Sequence, residues 1–331
     1  MLVGVLVRRE NSMNQEEFIQ GKEVILSAGT VGSPHILLLS GIGPRDQLEK
    51  HQIPLIVDLP GVGKNLQDHL TTILVYLSKI RTLVGDDFTS AENLQQWSKD
   101  GTGPLASCIG EAQAWFQVKQ SEMRSSSFDD DEREVPDIQI QFCPMTFTRE
   151  LGEELNFKDE VYEEYSKQHR EEYQWSVVPG VVLLHPKSKG EIILASSNPL
   201  EHPLIDPNYF HEKEDVQKLA RGCQLIDKIF QTDPLKSVTK SFARPADETE
   251  EQFWESFVRK YTVTVYHPTG TCRMSKEDDP MSVVTSDTRV KGVQNLRVVD
   301  ASIIPRTISG NTNIPVIAVA ERAADLIKNK S

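Results

Sequence analysis

The segment from Lys22 to Gly43, KEVILSAGTVGSPHILLLSGIG, constrains the fold more than any other stretch of this chain. Lys22 to Ala28 has the length and apolar content of a buried strand, and it ends on Gly29 among small residues. Ser33 suits an N-cap and Pro34 a first helical position, which predicts a helix over His35 to Leu39 that stops at Ser40-Gly41-Ile42-Gly43. Strand, tight small-residue turn and helix together form the unit of an α/β fold. A second such unit closes the chain: a strand over Leu296 to Val299, a loop from Asp300 to Ile314, and a helix from Pro315 to about Lys328.

The flanking segments are short. Leu2 to Val7 reads as a buried strand and the polar stretch Arg8 to Gly21 as a turn or loop. Pro44 starts a short helix through about His51, Ile53 to Val57 is a further strand, and Gly61 and Gly63 mark a loop leading to Asn65, Asp68 and His69. The middle of the chain has a different pattern. Ile138 to Phe142 (IQIQF) alternates apolar and polar residues as a half-buried strand does, and Val177 to Leu184 and Gly190 to Leu194 are further strands. Asp215 to Gln231 is an amphipathic helix with Val216, Leu219, Ala220, Cys223, Ile226 and Phe230 on one face, ended by Asp233-Pro234. Two acidic tracts interrupt this region. Ser125 to Glu134 reads as an exposed flexible loop, and Glu150 to Glu172 as a partly helical, solvated surface or a lid over a pocket.

Composition narrows the function classes. The chain has 331 residues, 38% of them hydrophobic, enough to bury a core. A net charge of -13 argues against a nucleic-acid or anionic-membrane partner, since both need a basic face. No stretch approaches the roughly 20 apolar residues of a membrane helix. The opening MLVGVLVRRE has no basic region before its apolar run and reads as a strand rather than a signal peptide. Secreted and mitochondrial locations both stay open. Cys108, Cys143, Cys223 and Cys272 form no CxxC pair, so neither a zinc site nor a disulfide framework is indicated, and they read as buried free thiols.

Two segments have the residue types for chemistry. In Tyr266-His267-Pro268-Thr269-Gly270-Thr271-Cys272-Arg273-Met274, the alternating run Thr262 to Tyr266 leads into a histidine whose backbone the following proline restricts. An imidazole is the natural general base near neutral pH. The dipeptide alone carries little, since His185-Pro186 and His202-Pro203 repeat it. The second segment is the C-terminal loop and helix, where Asn311, Thr312 and Asn313 precede a helix whose first turn contains Pro315. The N–H groups and positive dipole end of that helix favour an anion, and an ordinary capped helix has the same look.

GTVGSPHILLLSGIG, VYHPTGTCRM and NLRVVDASIIPRTISGNTNIPVIAVAERAADLI, in this order, resemble the glucose–methanol–choline (GMC) oxidoreductases. GVGKNLQDHL, GTGPLAS and LLHPKSKGEIILASSNPLEHPLIDPNYF extend the resemblance over nearly the whole chain, closest in flavour to animal glucose-dehydrogenase-like and choline-dehydrogenase-like members. It implies FAD as cofactor, a small-molecule alcohol as substrate, and a quinone or dioxygen as electron acceptor. It implies a Rossmann-like FAD domain interleaved with an antiparallel-sheet substrate domain: residues 1–75 and 285–331 in part of the first, 76–284 in the second. By position, His267 is the catalytic base and Asn311 the partner that hydrogen-bonds the same substrate oxygen. Asp300 and Ala301 fall at the flavin's linking phosphates, Thr312 and Asn313 against the isoalloxazine ring, and Ala28 and Gly29 near the adenosine side. Tyr266 touches the flavin by its backbone. No metal is implied.

The family's G-x-G-x-x-G fingerprint, which seats the flavin pyrophosphate on a helix N-terminus, is not in this sequence. The expectation is therefore a C-terminal half of the family pattern, with Met1 falling inside a strand of the FAD domain and with weak FAD retention by this chain alone. Three readings follow: part of an active flavoenzyme, a truncated, non-catalytic paralogue acting as a binding module, or an unrelated α/β protein with coincidental motifs.

Overall fold

A computed structural model describes residues 4–9, 16–118, 135–166, 174–241 and 249–328. The chain forms two compact units. One comprises residues up to Asp68, Pro186–His211 and the chain from Tyr266 on; the other comprises His69–His185 and Glu212–Val265. The α/β and antiparallel-sheet characters expected from the sequence are both present.

In the first unit the strands Val24–Leu26 and Leu296–Val298 pair in parallel, Leu26 opposite Val298. They come from opposite ends of the sequence, and each runs directly into a helical turn: Gly29–Leu39 after the first, the 3₁₀ turn Ala301–Ile303 after the second. Leu37 and Leu38 of the first helix pack with Ile42, Leu48, Val62, Val298 and Ile303 in one buried cluster. Each such large side chain contributes about 1.5–3 kcal/mol by leaving water. Arg297, 1% exposed, is held by Glu23 at 2.8 Å and by the Asp287 carbonyl, so the buried charge is paired. A three-stranded antiparallel sheet, Lys64–Leu66, Gly190–Ile193 and Leu204–Asp206, completes the unit together with a two-stranded parallel pair, Ile42–Gly43 with Val57–Asp58, and the C-terminal helix Asn313–Lys328.

Two expectations for the first residues need correction. The stretch expected as a turn or loop contains a strand, Glu16–Gln20, paired antiparallel to Gly4–Arg8. The hairpin is also not buried: Leu6 is 69% and Phe18 53% exposed. An exposed ribbon tolerates charge in its strands, and Arg8 pairs with Glu16 at 2.8 Å, which hides the strand from a reading based on apolar runs.

The second unit is built on a seven-stranded antiparallel sheet. Its long central strand, Trp175–Leu183, pairs with Ile138–Cys143 on one side. On the other it meets Tyr76–Ser78 at its start and Leu70–Ile73 at its end. Thr262–Thr264 adds to Leu70–Ile73, Thr239–Lys240 to Tyr76–Ser78, and Ala112–Phe116 to Ile138–Cys143. The amphipathic helix spans Lys213–Phe230, and all six apolar residues assigned to its inner face are buried. Gly222 on this helix sits so close to the sheet that a Cβ there would meet Val181 Cγ1 at 2.4 Å and Ile138 Cδ1 at 2.9 Å. The helix Glu250–Tyr261 packs on Lys213–Phe230 with its aromatic face Phe253, Trp254, Phe257 and Tyr261 buried.

The acidic tract Ser125–Glu134 lies outside the described residues. Within Glu150–Glu172, the helices Arg149–Glu154 and Asp159–Ser166 are present, and residues 167–173 are outside the described set. Among the described residues no helix is long and apolar enough to cross a membrane.

Candidate active site

The first helix shows how the sequence signals for the site are overridden by long-range bonds. It begins at Gly29, four residues before the expected N-cap Ser33, so Pro34 lies inside it. A proline there removes the N–H that would bond the carbonyl four residues back, that of Thr30. The Thr271 hydroxyl supplies the missing donor to the Thr30 carbonyl at 2.6 Å. Ser33 is buried within the helix, where its hydroxyl accepts from the Ala28 N–H at 3.1 Å and donates to Asp300 Oδ2 at 2.5 Å. Asp300 Oδ2 also accepts the Gly29 N–H at 3.0 Å, while Oδ1 accepts the Ser302 N–H at 2.8 Å and hydroxyl at 2.5 Å. One buried carboxylate thus ties together the ends of the two parallel strands.

The His267 segment is laced onto this junction. Thr30 Oγ1 donates to the Pro268 carbonyl at 2.7 Å, and the Cys272 N–H to the Ser302 carbonyl at 2.8 Å. The Gly270 N–H reaches the Ala301 carbonyl at 3.4 Å. Gln67 and Thr269 exchange backbone bonds at 2.8 and 3.1 Å, and the His267 N–H donates to Asp68 Oδ1 at 2.9 Å. Tyr266, expected within a strand, instead turns the chain: the strand ends at Thr264, and Tyr266 is in the left-handed region at φ 61 with its side chain 64% exposed. His267 is half-buried. Burial pushes its imidazole below the usual 6.5, against an upward pull from the Asp68 carboxylate.

The structure therefore brings Ala28, Gly29, Asp300 and Ala301 together with the His267 segment. Asn311, Thr312 and Asn313 make no side-chain hydrogen bond among the described residues. Asn313 is the first residue of the 16-residue C-terminal helix rather than its lead-in, and the Thr312 carbonyl accepts the Val316 N–H at 3.0 Å. Asn311 and Asn313 are exposed, as is Ile314 beside them at 71%. Sequence reasoning gave no role to Asp68 or Tyr209, although both lie in runs, NLQDHL and IDPNYF, that carry the family resemblance. Their bonds to the His267 region are non-local and leave no periodic signal.

The GMC oxidoreductase family models match residues 1–71 (its N-terminal domain) and 186–320 (its C-terminal domain). The alcohol dehydrogenase [acceptor] of Pseudomonas putida is 36% identical over 99% of this chain and 55% of its own length. The FAD, quinone glucose dehydrogenase of Drosophila melanogaster is 34% identical over 93% of this chain and 47% of its own. A variant of the Aspergillus oryzae formate oxidase, studied for its FAD modification, superposes with a TM-score of 0.80 at 26% identity, covering 99% of this chain and 57% of that one. The chain belongs to the GMC oxidoreductase family. It spans about half the length of the curated relatives it matches, and the match to the N-terminal model shows that it is not confined to the family's C-terminal domain.

The residues present fit FAD, the family's cofactor. Gly29 lies just past the carboxyl end of a parallel strand, the usual place for a nucleotide in an α/β unit. At φ 78 it takes a conformation natural to glycine, and a Cβ there would meet nothing within 4 Å, so the backbone is open to close approach. The Ala28 and Gly29 N–H groups are already bonded to Ser33 and Asp300, so this turn offers close approach rather than donors. A helix N-terminus of the kind that favours an anion is present at Asn313, the first residue of Asn313–Lys328.

Proposed function

We propose that this chain carries the proton-accepting and substrate-orienting residues of an FAD-dependent oxidoreductase acting on the CH–OH group of a small alcohol. The observation that carries the reading is the lacing of the His267 segment, through Thr30, Ala301 and Ser302, onto the junction where both parallel strands end. FAD, when bound, supplies the hydride acceptor. His267 takes the hydroxyl proton, and its lowered proton affinity keeps it neutral and ready to do so at physiological pH. Asn311 donates an N–H to the developing alkoxide without adding a second titratable group.

In this reading Ala28 and Gly29 flank the adenosine side, and Asp300 and Ala301 the linking phosphates. Tyr266 (by its backbone), Thr312 and Asn313 lie at the isoalloxazine ring. Asp300 acts there through the backbone it shapes, since its carboxylate oxygens are engaged with Gly29, Ser33 and Ser302. Residues 1–75 and 285–331 serve the cofactor and 76–284 the substrate. The chain corresponds to the C-terminal half of the family pattern, extended by the N-terminal family model over residues 1–71. A quinone is the favoured electron acceptor, by similarity to the FAD, quinone glucose dehydrogenase of Drosophila melanogaster, with dioxygen as the alternative acceptor.

The test is anaerobic flavin reduction by a panel of primary and secondary alcohols in protein saturated with FAD. His267→Ala is expected to slow reduction by at least about 10²-fold. An unchanged rate removes His267 from the chemistry, and no reduction by any alcohol in the wild type removes the reading. Retention of stoichiometric FAD through gel filtration by the 331-residue chain alone would overturn the expectation of weak binding drawn from the lacking fingerprint.

A further inference from the structure

Asp68 is 6% exposed, and its two carboxylate oxygens face different segments. Oδ1 accepts the backbone N–H of His267 at 2.9 Å; Oδ2 accepts the hydroxyl of Tyr209 at 2.7 Å. Tyr209 follows the strand Leu204–Asp206 and stands between two left-handed residues, Asn208 at φ 51 and Phe210 at φ 60. That turn is anchored in turn by Asn208, whose side-chain amide donates to the Lys189 carbonyl at 3.0 Å and whose N–H donates to Asp206 Oδ1 at 2.9 Å.

On the other side of Asp68 the backbone is strained. A tyrosine at φ 61 is strained and persists only where neighbours hold it. The bond from His267 to Asp68 lies immediately after that strain, and the Gln67–Thr269 exchange secures the residues beyond.

We propose that Asp68, with Tyr209 on its second oxygen, is a positioning residue that holds His267 in place across the left-handed turn at Tyr266. The inference rests on the reading of His267 as the base. The carboxylate acts twice: it fixes the His267 backbone, and its charge favours the protonated imidazole against the burial that disfavours it. Tyr209 donates to the same carboxylate, which spreads its charge and weakens that second action.

Two substitutions separate these actions. Asp68→Asn keeps an oxygen for the His267 N–H and removes the charge that favours the protonated imidazole, so the His267 titration midpoint falls. Tyr209→Phe removes the hydroxyl that shares the carboxylate, so the midpoint rises. Loss of packing alone would not move the two variants in opposite directions.

The experiment is an NMR titration of the 13C,15N-labelled imidazoles in the 331-residue chain, with His267 assigned by its absence in His267→Gln. It needs neither FAD nor an alcohol, so its result stands apart from the catalytic reading, which falls if His267→Gln leaves flavin reduction intact. A fall in Asp68→Asn with a rise in Tyr209→Phe supports the inference. A wild-type midpoint in folded Asp68→Asn overturns it. If Asp68→Asn yields no folded protein, Tyr209→Phe decides alone: a rise supports the inference, and an unchanged or lower midpoint overturns it.

Discussion

The hydroxyl of Thr271 donates to the carbonyl of Thr30 at 2.6 Å, replacing the helical bond that Pro34 cannot make. Both residues are buried, so without this donor the carbonyl would be an unsatisfied polar group in the core, at a cost of about 1–3 kcal/mol. Thr271→Val keeps the shape and removes the donor. It is expected to lower the unfolding free energy by about that amount in urea titrations, while Thr271→Ser retains most of the stability. In a Pro34→Ala background the helix recovers its own N–H, so the cost of Thr271→Val should shrink. Equal costs in both backgrounds would refute this account.

Gly222 makes a second prediction about packing. On helix propensity alone, Gly222→Ala should stabilise by about 0.5–1 kcal/mol. The added Cβ, however, would stand 2.4 Å from Val181 Cγ1. Overpacking of this kind typically costs about 1–3 kcal/mol and decides the sign. Thermal or urea unfolding should therefore show Gly222→Ala to be destabilised; a gain in stability would mean that helix and sheet separate freely.

What was legible in the sequence divides along physical lines. Helical periodicity over one face placed Val216, Leu219, Ala220, Cys223, Ile226 and Phe230 correctly, because that helix buries a single stripe against one sheet. The two strand–turn–helix units were legible because their turns need small residues. The start of the first helix was not, because local cap chemistry at Ser33-Pro34 competes with distant partners. Asp300 and Thr271 supply bonds that let the helix begin at Gly29 with a proline inside it. Glu16–Gln20 escaped notice because a strand exposed on both faces need not be apolar. Asp68 and Tyr209 lie 141 residues apart, and their meeting beside His267 is a property of the fold, not of any local pattern.

The four thiols should differ in reactivity according to burial. All are free, and the expectation that all are buried fails for Cys108, which is exposed. Cys143 is partly buried, and its thiol is pushed up to about 11 by burial first and then by Glu111 and Cys108 nearby. Cys223 and Cys272 are fully buried, with their thiols pushed higher still. Iodoacetamide at pH 8, followed by peptide mass spectrometry, should label Cys108 first, Cys143 slowly, and Cys223 and Cys272 only after unfolding. Early labelling of Cys272 would contradict the closed core beside Ser302.

The same burial fixes the sign of two pH effects at His267. A base must be neutral to accept a proton, and burial holds this imidazole's folded value below 6.5. The acid limb of the flavin-reduction rate should therefore have its midpoint below 6.5, with unit slope. For stability, a lowered histidine value means that the unfolded chain takes up the proton first. At pH above 6.5 both states are neutral and the group makes no difference. As pH falls from 6.5 to the folded value the native state loses stability, and below it the loss levels off. In His267→Gln this component is gone, so the stability difference between wild type and variant should change, in the variant's favour, across that window and stay constant above pH 7.5. Urea unfolding of both proteins from pH 8 to 5 measures it. A difference independent of pH would mean that His267 titrates alike in the folded and unfolded chains.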